Sequence, residues 1–184
     1  MKFKDTKIKD LYIAELEPFS DTRGFFVRSY CDKELKQINI KKSIKQINHS
    51  LTSSVGTIRG MHFQYPPHAE TKIIRCIAGE VFDVAIDLRR GSETFLQWYG
   101  EYLSHENLKM MVIPEGFAHG FQVIKRNSEL IYLHTTSYTP EVESGILFND
   151  KIIGIEWPLQ VMDISDRDLK HKMITNEFEG VNQN

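Results

Sequence analysis

An all-β sandwich or barrel is the fold class the sequence predicts, and three observations predict it. Apolar and polar residues alternate with period two over most of the chain. Turns rich in Gly, Pro, Ser or Asn separate many of these short runs. Helical periodicity is confined to two brief stretches. With 184 residues and no repeat, low-complexity segment or linker, residues 1–184 read as one domain able to bury a core.

In chain order, strands are expected over residues 11–16, 25–30 and 44–51, then within the stretch T-I-R-G-M-H-F-Q-Y-P-P-H-A-E-T-K at 57–72. A helical turn is expected between the second and third, in D-K-E-L-K-Q-I around 32–38. K-I-I-R-C-I and V-F-D-V-A-I-D-L follow, punctuated by Ala78-Gly79-Glu80, and read as a hairpin. The second run has two unlike faces: Phe82, Val84, Ile86 and Leu88 alternate with Val81, Asp83, Ala85 and Asp87. Further strands are expected over 99–103, 109–113, 120–123 and 129–135, and a last helical turn in D-R-D-L-K after Ser165.

Composition narrows the function. Hydrophobic residues make up 41% and charged residues 26%, as in ordinary globular proteins, and the net charge is −2 with no basic stripe, which argues against nucleic acid. The first residues are charged throughout, and no apolar run nears the ~20 residues of a membrane-spanning helix. Cys31 and Cys76 have neither metal nor redox spacing, so a reducing cytoplasm is the expected location. G-x-G-x-x-G after a strand, G-x-x-x-x-G-K-[ST] and G-x-S-x-G are all missing, which removes support for dinucleotide, P-loop and hydrolase readings.

Parity places polar residues together. Gln46, Asn48 and Ser50 share one face, opposite Ile47 and Leu51. His62 and Gln64 point one way, Met61 and Phe63 the other. Tyr132, His134, Thr136 and Tyr138 share a side if the strand stays regular. Such faces meet solvent in an ordinary sandwich, or surround a ligand in a barrel. Cupin-type jelly rolls often carry H-x-H for metal. Here the strand reads His62-Phe63-Gln64, with His119 as the distant histidine, and an amide is a poor ligand for zinc or iron. A metal-free site is expected. Taken singly, His62, Lys72, Tyr132 and Asp168 each have a structural reading at least as good as a catalytic one. Arg23 and Arg59 each adjoin a glycine, which lets an anion approach the backbone.

Together, D-T-R-G-F-F, Q-I-N-H-S, T-I-R-G-M-H-F-Q-Y-P-P, G-E-V-F-D-V-A-I-D-L-R, I-P-E-G-F-A-H-G-F, F-N-D and I-E-W-P resemble the dTDP-4-dehydrorhamnose 3,5-epimerase family. Order and spacing agree from about Phe3 to Leu169. The resemblance implies a cupin-like double-stranded β-helix, or jelly roll, with a few short helices. It implies epimerisation of a nucleotide-diphospho-4-keto-6-deoxyhexose through an enolate, with no cofactor and no metal. His62 is then the base, held by Asp168. Lys72 stabilises the enolate and Tyr132 delivers a proton from the opposite face. His119 and Tyr138 line the sugar pocket, with Asp83 behind them. Arg59 and Arg23 clamp the diphosphate. Gln46, Asn48 and Phe26 meet the nucleoside. Arg23 and its neighbours are expected from the other subunit of a homodimer that exchanges N-terminal strands.

One position departs from the family, which commonly reads R-G-F-F-x-E where this chain has R-G-F-F-V-R, ending in Arg28. A guanidinium only donates hydrogen bonds, so it suits the acceptors of cytosine better than the N–H of thymine. A CDP-linked sugar therefore remains an alternative, and so does inversion of only one of C3 and C5, because relatives that invert one carbon keep most of these motifs. From other classes, a metal-dependent cupin dioxygenase and a non-catalytic sugar-binding jelly roll also remain.

Overall fold

The computed structural model describes residues 1–182. Along the chain come β1 (Lys2–Asp5), β2 (Tyr12–Glu15), β3 (Phe19–Asp21), β4 (Gly24–Phe26), the single-turn α1 (Asp32–Leu35) and a 3-10 turn at Lys36–Ile38. β5 (Gln46–Thr52), β6 (Thr57–Gln64), β7 (Lys72–Ala78), β8 (Glu80–Asp87), β9 (Trp98–Ser104), β10 (Lys109–Ile113), β11 (Phe117–Val123) and β12 (Ser128–His134) form the body. A 3-10 turn at Pro140–Val142, then β13 (Glu143–Gly145), β14 (Asp163–Ile164) and a final 3-10 turn at Asp168–Lys170 complete it.

These strands make two six-membered layers. One sheet has the order β1-β2-β10-β7-β12-β5. The other runs β13-β6-β11-β8-β9, with β14 parallel to β6. The all-β jelly-roll expectation holds. The expected hairpin of 72–77 with 81–88 does not: β7 pairs β10 and β12, whereas β8 pairs β11 and β9. Ala78-Gly79-Glu80 carries the chain from one sheet to the other. Gly79 has φ 71°, and a Cβ there would clash with Ser128 Oγ. Ser128 Oγ donates to the Glu80 carbonyl and accepts the Glu80 N–H, closing this corner.

The strand expected over 25–30 is shorter. Only Gly24–Phe26 pairs, with Phe19–Asp21, in a hairpin joined to neither sheet. The strand Lys2–Asp5 was not expected, because its charges mask a pattern that serves an edge beside β2.

The interior follows from alternation. Ile74, Met111 and Leu130 of the first sheet meet Val81, Leu103 and Phe121 of the second in one cluster. Each such fully buried side chain contributes roughly 1.5–3 kcal/mol. The outer face of the second sheet is covered by the C-terminal segment through Ile153, Trp157 and Val181. Leu16 and Leu35 help cover the outer face of the first. Towards β5 and β6 the sheet interior changes from apolar to polar, and there the cavity lies.

Candidate active site

β5, β7 and β12 of one sheet face β6 and β11 of the other across a cavity of about 540 Å³. Its lining includes Gln46, Asn48, Arg59, His62, Lys72, His119, Tyr132 and Tyr138, eight of the residues singled out by sequence. Regular alternation would put Arg59 and His62 on opposite faces. A register shift between β6 and β11, where His119 faces His62 but Phe121 faces Arg59, turns both inward.

His62 Nε2 lies 2.8 Å from Asp168 Oδ1, while Asp168 Oδ2 accepts the Gly60 N–H at 3.1 Å. The final 3-10 turn supplies this aspartate, and its own N–H donates to Ser165 Oγ at 3.1 Å. Burial pushes the Asp168 carboxyl up, but the His62 bond, the imidazole charge and the Gly60 N–H outweigh that and hold it below the usual range. The carboxylate thus fixes the ring and leaves Nδ1 as the nitrogen not engaged by Asp168.

Opposite, the Tyr132 hydroxyl is 2.9 Å from Ser50 Oγ and is pushed up to about 12, chiefly by burial. It is a protonated donor at neutral pH. Lys72 Nζ donates to the His62 carbonyl at 3.1 Å and pairs with Glu70 at 3.3 Å. His119 Nε2 is 2.8 Å from Asp83 Oδ1, and the fully buried Asp83 is raised by burial despite that imidazole. Arg59 donates weakly to the Leu51 carbonyl at 3.4 Å and has no carboxylate partner among the described residues. The Tyr138 hydroxyl donates to Glu143 at 2.8 Å, and Arg167 pairs with the same carboxylate at 2.5 Å.

Asp168 stands behind this lining, against His62, and three further residues expected at the site lie outside it. Arg23 and Phe26 stand on the β3–β4 hairpin, Arg23 against Asp21 and Phe26 72% exposed. Arg28 pairs with Glu34 at 2.8 Å. The glycine after Arg59 has a packing role. A Cβ on Gly60 would lie 2.5 Å from the Gly120 Cα, so this glycine allows β6 and β11 to meet.

Glu70, Glu143, Arg167 and His171 were not singled out by sequence. Glu70 sits two residues before Lys72, a parity signal that was available; Glu143 on β13, and Arg167 and His171 flanking the final 3-10 turn, gave none. The rings of His171 and His62 form a T-shaped pair with centroids 5.4 Å apart, and His171 Nε2 is 3.7 Å from Asp168 Oδ1. Donor atoms of His62, Asp168 and His171 lie within 4.8 Å of one another, so a divalent metal could be held there only by disrupting the His62–Asp168 bond. The other metal set, His62, Gln64 and His119, is not assembled. The Gln64 amide bonds the His68 carbonyl and the Thr139 N–H, while His119 bonds Asp83.

The family model for dTDP-4-dehydrorhamnose 3,5-epimerase matches residues 5–176. The chain is 46% identical over 165 residues to the dTDP-4-dehydrorhamnose 3,5-epimerase of Shigella flexneri, covering 89% of this chain and 91% of that protein. The Bacillus anthracis enzyme of that name, solved with TDP and pyrophosphate bound, superposes with a TM-score of 0.91 at 39% identity, over 94% of this chain and 99% of that one. The Legionella pneumophila dTDP-6-deoxy-D-glucose-3,5-epimerase, solved with dTDP-4-keto-L-rhamnose, gives 0.91 at 39% identity over 100% and 99%.

Proposed function

Because the chain belongs to the dTDP-4-dehydrorhamnose 3,5-epimerase family, we propose that its cavity inverts the carbons beside the ketone of a dTDP-linked 4-keto-6-deoxyhexose. The observation that carries this reading is the opposition of His62 on β6, paired with an ionised Asp168, to a protonated Tyr132 on β12 of the facing sheet. A base and an acid thus stand on two sides of one cavity.

The ketone acidifies the hydrogens at C3 and C5. His62 removes one as a proton, and the electron pair moves onto the keto oxygen as an enolate. The Lys72 ammonium stabilises that oxyanion. Tyr132 returns a proton to the opposite face of the same carbon, and the carbonyl re-forms. The phenolate then regains its proton and His62 releases the one it took, both by exchange with solvent. His119 and Tyr138 confine the sugar, and Arg59 receives the diphosphate. Gln46 and Asn48 lie towards the nucleoside. Every step is a proton transfer, for which this chain's own residues supply base, acid and cation.

The protein is further proposed to act as a homodimer in the cytoplasm, each subunit lending its N-terminal hairpin to the other's cavity. Support comes from Phe19, Phe25 and Phe26, which expose 77%, 60% and 72% of their surface on a hairpin that joins neither sheet. Arg23 and Phe26, and Arg28 near the base, would then serve the neighbouring subunit. Among the described residues, no helix is long and apolar enough to cross a membrane.

Incubation with dTDP-4-dehydro-6-deoxyglucose in heavy water tests the activity. Magnetic resonance is expected to show deuterium at C3 and C5 together with inverted configuration. Deuterium at one carbon alone would restrict the enzyme to one centre, and no exchange at either would sink the epimerase reading.

A further inference from the structure

Lys72 is a buried ammonium, its side chain 9% exposed, and Glu70 beside it is 8% exposed. Glu70 Oε1 lies 3.3 Å from the ammonium, and Oε2 lies 2.7 Å from His134 Nδ1. Burial raises the Glu70 carboxyl, but His134 and Lys72 together outweigh it, so the group stays ionised. The contacts continue from there in one direction. The Tyr138 N–H donates to Gln46 Oε1 at 3.0 Å, Gln46 Nε2 to Asn48 Oδ1 at 3.1 Å, and Asn48 Nδ2 to His134 Nε2 at 3.4 Å. His134 therefore accepts at Nε2 and donates from Nδ1 to Glu70, one defined tautomer. Its ring also stacks on Tyr132, 6.2 Å away with planes 15° apart.

We propose that Glu70 and His134 are a positioning pair that holds the Lys72 ammonium against the reacting ketone. An ammonium turns freely and has three donors. Here the His62 carbonyl takes one at 3.1 Å and Glu70 draws the ammonium from a second side, which leaves a donor directed at the cavity. Glu70 cannot itself swing, because its second oxygen is held by His134, whose far nitrogen is held by Asn48. The inference rests on the enolate-stabilising role proposed for Lys72. Misplacing a reacting group by ~1 Å costs about 10²-fold in rate, so such a hold has a measurable consequence.

The test is steady-state kinetics and solvent deuterium exchange on Glu70→Ala, Glu70→Gln, His134→Phe and His134→Asn, with Lys72→Ala as reference. Glu70→Ala should lower kcat about 10²-fold, with exchange and inversion falling together and KM within about threefold of wild type. Glu70→Gln keeps shape without charge and should fall between it and wild type. His134→Phe should lower kcat about tenfold, and His134→Asn, whose amide stands where Nδ1 stood, should recover most of that loss. If Lys72→Ala is crippled while Glu70→Ala keeps wild-type kcat, or changes only KM, the positioning pair is refuted and the role of Lys72 stands. If wild type converts no sugar nucleotide, the functional reading fails, and crystallography of Glu70→Gln still decides the placement. Lys72 Nζ leaving the His62 carbonyl supports the pair, and Nζ staying in place overturns it.

Discussion

If His62 and Tyr132 serve different halves of one inversion, as proposed, their variants should fail differently. His62→Asn removes the base, and both deuterium exchange and inversion should drop by ~10²–10⁴-fold. Tyr132→Phe keeps the base, so deuterium can return through the imidazole with configuration unchanged while inversion falls away. Magnetic resonance in heavy water separates the two, and inversion by Tyr132→Phe at the wild-type rate would exclude this tyrosine as the acid. Arg59 lines the cavity, and the proposal gives it the diphosphate, away from the reacting carbons. Arg59→Ala should raise KM about tenfold or more with little change in kcat; a collapsed kcat at unchanged KM would move it into the chemistry. These residues were legible because their neighbours in sequence carry the family motifs. Glu70 and Arg167 were less so: Glu70 had only its spacing from Lys72, and its tie to His134, like that of Arg167 to Glu143, joins residues far apart in the chain.

At the scale of the element, the close meeting of β6 and β11 sets the site. Gly60 has φ 124°, and its absent Cβ leaves room for the Gly120 backbone. Gly60→Ala meets both a disfavoured backbone conformation and a clash, each worth about 1–3 kcal/mol. Its melting temperature should fall clearly and its catalytic rate with it, because the Gly60 N–H also holds Asp168. A variant as stable and active as wild type would show that the strands can part without consequence. Strand positions were readable from alternation, yet the partners of β7 and β8 were not. A short glycine-bearing connection looks alike whether it closes a hairpin or crosses between sheets, and contacts with Ser128, far along the chain, decide which.

For the whole molecule, the exposed hairpin predicts assembly. Sedimentation should give a dimer, and Phe25→Ser with Phe26→Ser should shift it towards monomer with loss of activity; a fully active monomer would end the strand-exchange proposal. Acid stability follows from Asp87. Burial raises its carboxyl, but Arg89, Ser92 and Thr94 outweigh that, so its folded value lies below the ~3.9 of an unfolded aspartate. Its contribution is therefore complete above pH ~4 and is lost as pH falls through the folded value. The melting temperature of wild type should drop more steeply from pH 4 to 2 than that of Asp87→Asn, about where these values place the window. Asp83 is raised instead, chiefly by burial, so its contribution declines as pH rises above ~3.9. Parallel acid limbs for wild type and Asp87→Asn would show the Asp87 bonds to be energetically idle.

Sequence by itself determined the fold class, most strand positions, and eight residues of the cavity lining, because side-chain alternation and local motifs are written along the chain. It also carried the chemistry expected of His62, Lys72, Tyr132 and Asp168, through the family that those motifs resemble. Tertiary structure alone decided that β7 and β8 lie in different sheets, and that a register shift turns Arg59 and His62 to the same side. It alone joined Glu70 to His134 and Lys72, and left the N-terminal hairpin outside its own cavity. The reason is physical: alternation specifies the two faces of a strand, whereas which strands pair, and in what register, depends on contacts between residues far apart in the chain.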